Sequence, residues 1–182
     1  MQLSFDFREN ATRSQILDTL LDAMDAEQRT AFNNLVDGVT VPDKHHHNIG
    51  EVNETIDALE VPSQVKEDLR GVYAILAAAE AKVHGCEVSQ THFHEVGNAS
   101  GIRNALAICL AFFVLSPEKV RATAIQPGQG EIECAHGVLS LPAPATAAIL
   151  EGLPLASPRK PGERCTPTSA ALIKHFVTEF ED

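Results

Sequence analysis

Three stretches of this chain carry side chains able to do chemistry. In Thr91-His92-Phe93-His94-Glu95-Val96-Gly97, two imidazoles and a carboxylate stand just ahead of a glycine. Residues i and i+2 of an extended segment share a side, so His92 and His94 are expected to converge. Neutral imidazole ligates borderline metals such as nickel and zinc. Glu95 points to the opposite side unless the chain turns, and Gly97 favours a turn. The same residues also have a plain structural use, with one His satisfied in the core and the other capping the next helix. The second stretch, His45-His46-His47, is expected as an exposed loop that offers imidazoles to a divalent cation, or else as a solvated polar run before a helix. The third, Cys134-Ala135-His136-Gly137, sets a soft donor two residues from an imidazole. His84 reads as a structural residue at a helix C-terminus, where the dipole favours it.

Two further stretches suit anions. Gly128-Gln129-Gly130 can present backbone N–H groups, although a tight hairpin needs the same residues. Thr166-Pro167-Thr168-Ser169 reads as a hydroxyl-rich helix N-terminus, either a phosphate site or simply a well-capped end. The chain has no nucleophile triad, phosphate-binding loop or dinucleotide fingerprint.

The elements that must position these groups follow from periodicity and capping. Leu3, Phe5 and Phe7 alternate with polar residues, which predicts a strand over 2–7. Thr12 caps a helix to about Met24, with Ile16, Leu17, Leu20, Leu21 and Met24 on one face. Asp25 and Gln28 form a capping box for a second helix ending at Asp37-Gly38. Asn48, with Glu51 three residues on, starts a third. A long helix over 62–83 carries Val65, Leu69, Val72, Tyr73, Leu76 and Val83, with Gly85 as its C-cap. The most apolar helix spans about 99–115, with Ile102, Leu106, Cys109, Leu110 and Phe113 facing one way. Strands near 119–126 and 131–134 are expected to be joined through Gly128-Gln129-Gly130. Pro142 and Pro144 open a helix through about Leu150, followed by a short strand at Leu153-Pro154-Leu155 and a mobile loop over 157–163. A last helix runs from Thr166 to Phe180. The fold class is α/β or α+β: one domain over 1–182, with a small mixed sheet packed by six to seven helices.

A net charge of −11 speaks against a nucleic-acid polymer or an anionic membrane as partner. No apolar run is long enough to span a bilayer, and no secretory leader is visible. The four cysteines, Cys86, Cys109, Cys134 and Cys165, are widely spaced and form no CxxC pair. They read as reduced thiols of a cytoplasmic protein.

Taken together, "AEAKVHG", "THFHEVG", "G-x-G-x-x-x-CAHG", "LPAPATA-x-x-L-x-G-x-P" and "TPT-x-AALI" resemble, in order, the nickel-insertion protein family (LarC type). The resemblance is best over 45–182 and more divergent over 1–44. It implies a metal-chelatase-type lyase that places Ni²⁺ into a pyridinium-3,5-bisthiocarboxylic acid mononucleotide, the nickel-pincer cofactor precursor, in a CTP-dependent step. It carries metal roles onto His45, His46, His47, His92, His94, Glu95 and His136, and cofactor contacts onto Gly128, Gly130, Thr166 and Thr168. CTP is expected to act only through a separate nucleotide-binding domain of the same family, expected on a second polypeptide. Self-association is left open.

The chain departs from the family pattern at several positions. Asn10-Ala11-Thr12-Arg13-Ser14-Gln15 replaces a Gly-Ile-Ser-Gly-Asp-Met-like turn. Ser100 and Asn104 stand where the pattern has Asp, and Ser169 stands where it has Gly. These losses motivate an alternative: a degenerate, non-catalytic binding or scaffold paralogue whose motif residues serve the fold.

Overall fold

The computed structural model describes residues 1–93, 97–134 and 137–181. The architecture is mixed α/β. Among the described residues, seven α-helices accompany two three-stranded sheets, so the expected single sheet is divided.

The first sheet is parallel, in the order β1 (Gln2–Phe5), β2 (Lys119–Ala122), β6 (Glu179–Phe180). Alternation buries Leu3 and Phe5 of β1 with Val120 and Ala122 of β2. Phe7 prolongs the stripe beyond the strand and stacks on Phe5 at 5.3 Å. Side chains take over the ladder where these short strands end. The Phe7 N–H donates to Thr123 Oγ1, and the Val120 N–H donates to Thr178 Oγ1.

After β1 come α1 (Arg13–Asp22) and α2 (Ala26–Gly38), started by Thr12 and by the Asp25/Gln28 capping box. Next are α3 (Ile49–Ala58), capped by Asn48, and α4 (Ser63–His84), closed by Gly85 in the left-handed region at φ 64°. α5 (Ala99–Leu115) begins at Asn98, whose side chain accepts from the Gly101 N–H. α4 packs against α3, α5, α6 (Pro144–Leu150) and α7 (Pro167–Phe176), while α5 also meets α1 and α2. These two helices form the centre of the core and carry seven of its twelve largest fully buried side chains, Leu69, Tyr73, Leu76, Ile102, Leu106, Ile108 and Leu110. No described helix is long and apolar enough to cross a membrane.

Several expectations need correction. Phe113 is 39% exposed; its neighbour Phe112 is the buried ring, stacked on Phe176 at 3.8 Å. Ser100, Arg103 and Asn104 mark a polar face only at the start of α5; from Ala105 to Leu115 no polar residue follows, so the pattern there does not choose a face. Val83 also lies outside the core. Gly128-Gln129-Gly130 is not a hairpin turn but the start of β3 (Gly128–Cys134). β3 pairs antiparallel with β4 (Gly137–Leu141) and β5 (Gly162–Glu163). Leu153-Pro154-Leu155 contributes a single bridge, Leu155 to Ile125. The last helix stops at Phe176, and Glu179–Phe180 return as β6.

The 157–163 segment is tied down rather than mobile. The buried Gln126 side chain donates to the Arg8 and Pro158 carbonyls and accepts from the Lys160 N–H. Lys160 also pairs with Glu9 at 2.6 Å.

Candidate functional site

The two histidine stretches lie side by side. The His46 N–H donates to the Gly97 carbonyl at 2.7 Å, and the Phe93 N–H donates to the His47 carbonyl at 2.8 Å. Residues 45–47 are thus strapped to the ends of the 93–97 segment. Phe93 anchors the strap from inside: it is buried and meets Tyr73 of α4 edge-on, with ring centroids 6.0 Å apart. Thr91 is also buried, so His92 between them points outward and is exposed. His94 and Glu95 lie outside the described residues, as do Val96 and His136.

The triple-histidine loop is not uniformly exposed as expected. His45 and His47 face solvent, but His46 is fully buried. Its Nδ1 lies 3.0 Å from the Gly97 carbonyl oxygen, and its Nε2 lies 2.7 Å from Thr55 Oγ1 on α3. A carbonyl only accepts, so Nδ1 carries the proton and Nε2 accepts from the Thr55 hydroxyl. Both nitrogens are occupied, so in this arrangement His46 has no free lone pair for a metal. His45 is different. Its Nε2 lies 2.9 Å from the Phe93 carbonyl and must donate there, leaving Nδ1 as the lone pair. An imidazole that ligates a metal commonly donates its other N–H to a backbone carbonyl in this way. The His45 and His47 rings meet edge to face at 4.9 Å. Below them the Glu51 carboxylate accepts the His47 N–H at 2.7 Å, a hydrogen bond that lowers its pKa. Among the described residues no group of three His, Cys, Asp or Glu side chains is gathered for a metal ion.

Burial lowers the His46 pKa below its ordinary value, outweighing the Gly97 hydrogen bond that acts the other way. The unfolded chain therefore binds the proton more readily than the folded one. The stability contributed by neutral His46 is complete above an unfolded pKa of about 6.5, and it is lost as pH falls toward the lower folded value. Urea unfolding should show the protein weakening between pH 7.5 and 5.5, with a smaller slope for His46→Gln. Equal slopes for the two proteins would rule this out.

The remaining candidates fall in different places. Gly128 lies against β5, where an added Cβ would come 2.1 Å from the Gly162 carbonyl oxygen, so a packing need accounts for that glycine. Gly130 adopts φ +113° with open space around it. Thr166 caps α7 by accepting the Ser169 N–H at 3.2 Å. Thr166 and Thr168 line a cavity of about 210 Å³ with Arg13, Asn98, Ser100 and Glu163. Cys109 and Cys165 are buried free thiols, Cys165 pushed up to about 12 by burial, so neither is a ready thiolate ligand. His84 stands 3.5 Å from Glu80 at the end of α4, in keeping with its structural reading.

Sequence reasoning missed Thr55 and Arg13. A threonine between Val52 and Ile56 on the apolar face of α3 was a usable signal, because a buried hydroxyl needs a partner. Arg13 gave none, since only the fold carries the start of α1 to α5 and α7.

Residues 6–182 match the family described as nickel insertion protein. The pyridinium-3,5-bisthiocarboxylic acid mononucleotide nickel insertion protein of Desulfitobacterium hafniense (strain DSM 10664 / DCB-2) is 38% identical over 135 residues, covering 74% of this chain and 34% of that protein. Its namesake from Staphylococcus saprophyticus is 38% identical over 136 residues, covering 75% and 35%. The chain thus spans about a third of the length of the curated relatives it matches. No solved structure matches it.

Proposed function

Because this chain belongs to the nickel insertion protein family, we propose that it holds Ni²⁺ for transfer into a pyridinium-3,5-bisthiocarboxylic acid mononucleotide. The supporting observation is the strap that joins residues 45–47 to 93–97 through two backbone hydrogen bonds and the His46 ring. Imidazoles more than forty positions apart in sequence are thereby held on neighbouring loops.

His45, His47 and His92, together with His94, Glu95 and His136 of the sequence motifs, form the proposed donor set. Imidazole nitrogens and a carboxylate suit a borderline divalent ion. His46 is a positioning residue: its ring fixes the loop from which His45 offers Nδ1. Nickel is the cargo. The exposed His45, His47 and His92 let the ion both arrive and depart, which a buried thiolate cage would not allow. CTP use falls to a nucleotide-binding partner domain, and the work is assigned to the cytoplasm.

Calorimetry on the untagged, chelator-stripped protein should show nickel binding tighter than about 10 μM at pH 7.5. Binding should weaken on acidification as the imidazoles protonate. His45→Ala/His47→Ala should reduce it at least about tenfold while the protein stays folded. If the wild type binds neither nickel nor zinc better than about millimolar, the proposal is wrong.

A further inference from the structure

We propose that the cavity at the C-terminal ends of α5 and α7 binds a small planar organic cation of the guanidinium type, with Asp68 as its counter-charge and Phe113 as the ring it stacks on. At about 650 Å³ the cavity has room for a small molecule. It lies at the far end of α5 from the histidine loops, roughly 24 Å away along a helix of 17 residues.

The walls present acceptors without donors. A helix leaves its last carbonyls without intrahelical partners. At the end of α5 the Ser116 N–H serves the Phe112 carbonyl, but the next donor in line belongs to residue 117, a proline with no N–H. The Glu118 N–H turns away to the Met1 carbonyl. Among the described residues, the carbonyls of Phe113, Val114 and Leu115 therefore accept no hydrogen bond. At the end of α7 the Thr178 N–H likewise leaves for Val120 of β2, so the Lys174 carbonyl loses its donor.

The charge points the same way. Two helix C-termini bring about half a negative charge each, against one positive pole where Gln64 stands in the first turn of α4. The last turn of α5 has no basic residue to offset its end. Asp68 adds a carboxylate whose side chain is only 16% exposed. His175 Nε2 lies 2.9 Å from Asp68 Oδ1, while Oδ2 has no partner among the described residues. A carboxylate so short of water has acceptor capacity that a forked cation fills. When the imidazole is neutral, Nε2–H donates and Asp68 keeps its whole charge. The pair is seated: the His175 ring rests against Gly71, where any Cβ would collide with its Cε1. The other charges on the wall are already matched. Lys119 pairs with Glu179 at 2.8 Å, and Glu118 lies 3.7 Å from the N-terminal ammonium.

The shape of the cation follows from Phe113, the exposed aromatic ring of this cavity. A planar delocalised cation stacks on such a ring and also forks onto a carboxylate, whereas a compact ammonium does not fork.

The test is calorimetry on the metal-free protein at about pH 8.5, above the ordinary imidazole range. The probes are phenylguanidinium, its neutral counterpart phenylurea, and butylammonium. Phenylguanidinium should bind with Kd below about 1 mM and at least about tenfold tighter than either of the others. Asp68→Asn keeps an acceptor for His175 but removes the charge, and it should weaken binding about tenfold or more. Phe113→Ala, at an exposed position, should weaken it about threefold. Urea midpoints near that of the wild type report that the variants fold. If Asp68→Asn does not fold, Phe113→Ala carries the test. No binding of phenylguanidinium, equal binding of phenylurea or of butylammonium, or indifference to either substitution would each overturn the assignment. The histidine loops take no part in it, so it stands or falls separately from nickel binding.

Discussion

Gly97→Ala is expected to cost about 3 kcal/mol or more of stability and to abolish nickel binding. A methyl group at Gly97 would stand 2.0 Å from the His46 carbonyl oxygen and 2.9 Å from Phe93 Cβ. Neither neighbour is the free end of a flexible side chain. The His46 backbone is fixed by its own N–H bond to the Gly97 carbonyl, and its ring is pinned at both nitrogens. The only relief is to part the two loops, which breaks the strap and strands a buried imidazole. A domain stabilised by 5–15 kcal/mol loses a large share of its margin this way. With a urea slope of 1–3 kcal/mol per molar, the midpoint should fall by at least about 1 M. Gly38→Ala is the matched control, because a Cβ there meets nothing within 4 Å. A Gly97→Ala protein within about 0.5 kcal/mol of wild type would show that the loops are not held as described.

The second large effect is expected at Phe93. Phe93→Ala should cost about 3–5 kcal/mol and lower nickel affinity by at least about tenfold. The ring is buried against Tyr73, so its removal opens a cavity beside α4. Its backbone does more than its side chain suggests. The Phe93 N–H holds His47, and the Phe93 carbonyl holds the His45 ring. A loosened Phe93 therefore disturbs both exposed imidazoles of the first loop. Phe93→Leu refills much of the hole and should show a smaller loss on both measures. If chemical denaturation and calorimetry find Phe93→Ala unchanged, the anchoring role is wrong.

The helical frame was legible because local signals set it. Thr12, the Asp25/Gln28 box, Asn48, Gly85 and Pro167 mark helix ends through bonds made within a few residues. The sheets were less legible, because pairing is non-local. Nothing near Gly128 reveals that it lies against Gly162, or that Phe180 returns beside Ala122. Phe113 was misplaced because α5 is wholly apolar from Ala105 onward and has no phase to read there.

The candidate site divides in the same way. His45, His47 and His92 were found by residue type and spacing. The burial of His46 depends on a threonine nine positions away and a glycine 51 away. The motif spacing of His94, Glu95 and His136 was visible, but those positions lie outside the described residues. The cavity at Arg13 and Thr168 required three helix starts to meet, which no local pattern encodes.

The middle position of β2 also bears on how the molecule assembles. Its neighbourhood is bonded to partners 116 positions earlier, through Phe7 and Thr123, and 58 positions later, through Val120 and Thr178. Contacts so distant in sequence slow folding, because the chain between them must be ordered before they repay it. The histidine loops close over a shorter separation, most of it spanned by α3 and α4, which form locally. During folding they can therefore meet while the parallel sheet is still open. Amide protection at His46 and Phe93 should then precede protection at Val120 and Ala122 in a pulse-labelled refolding time course.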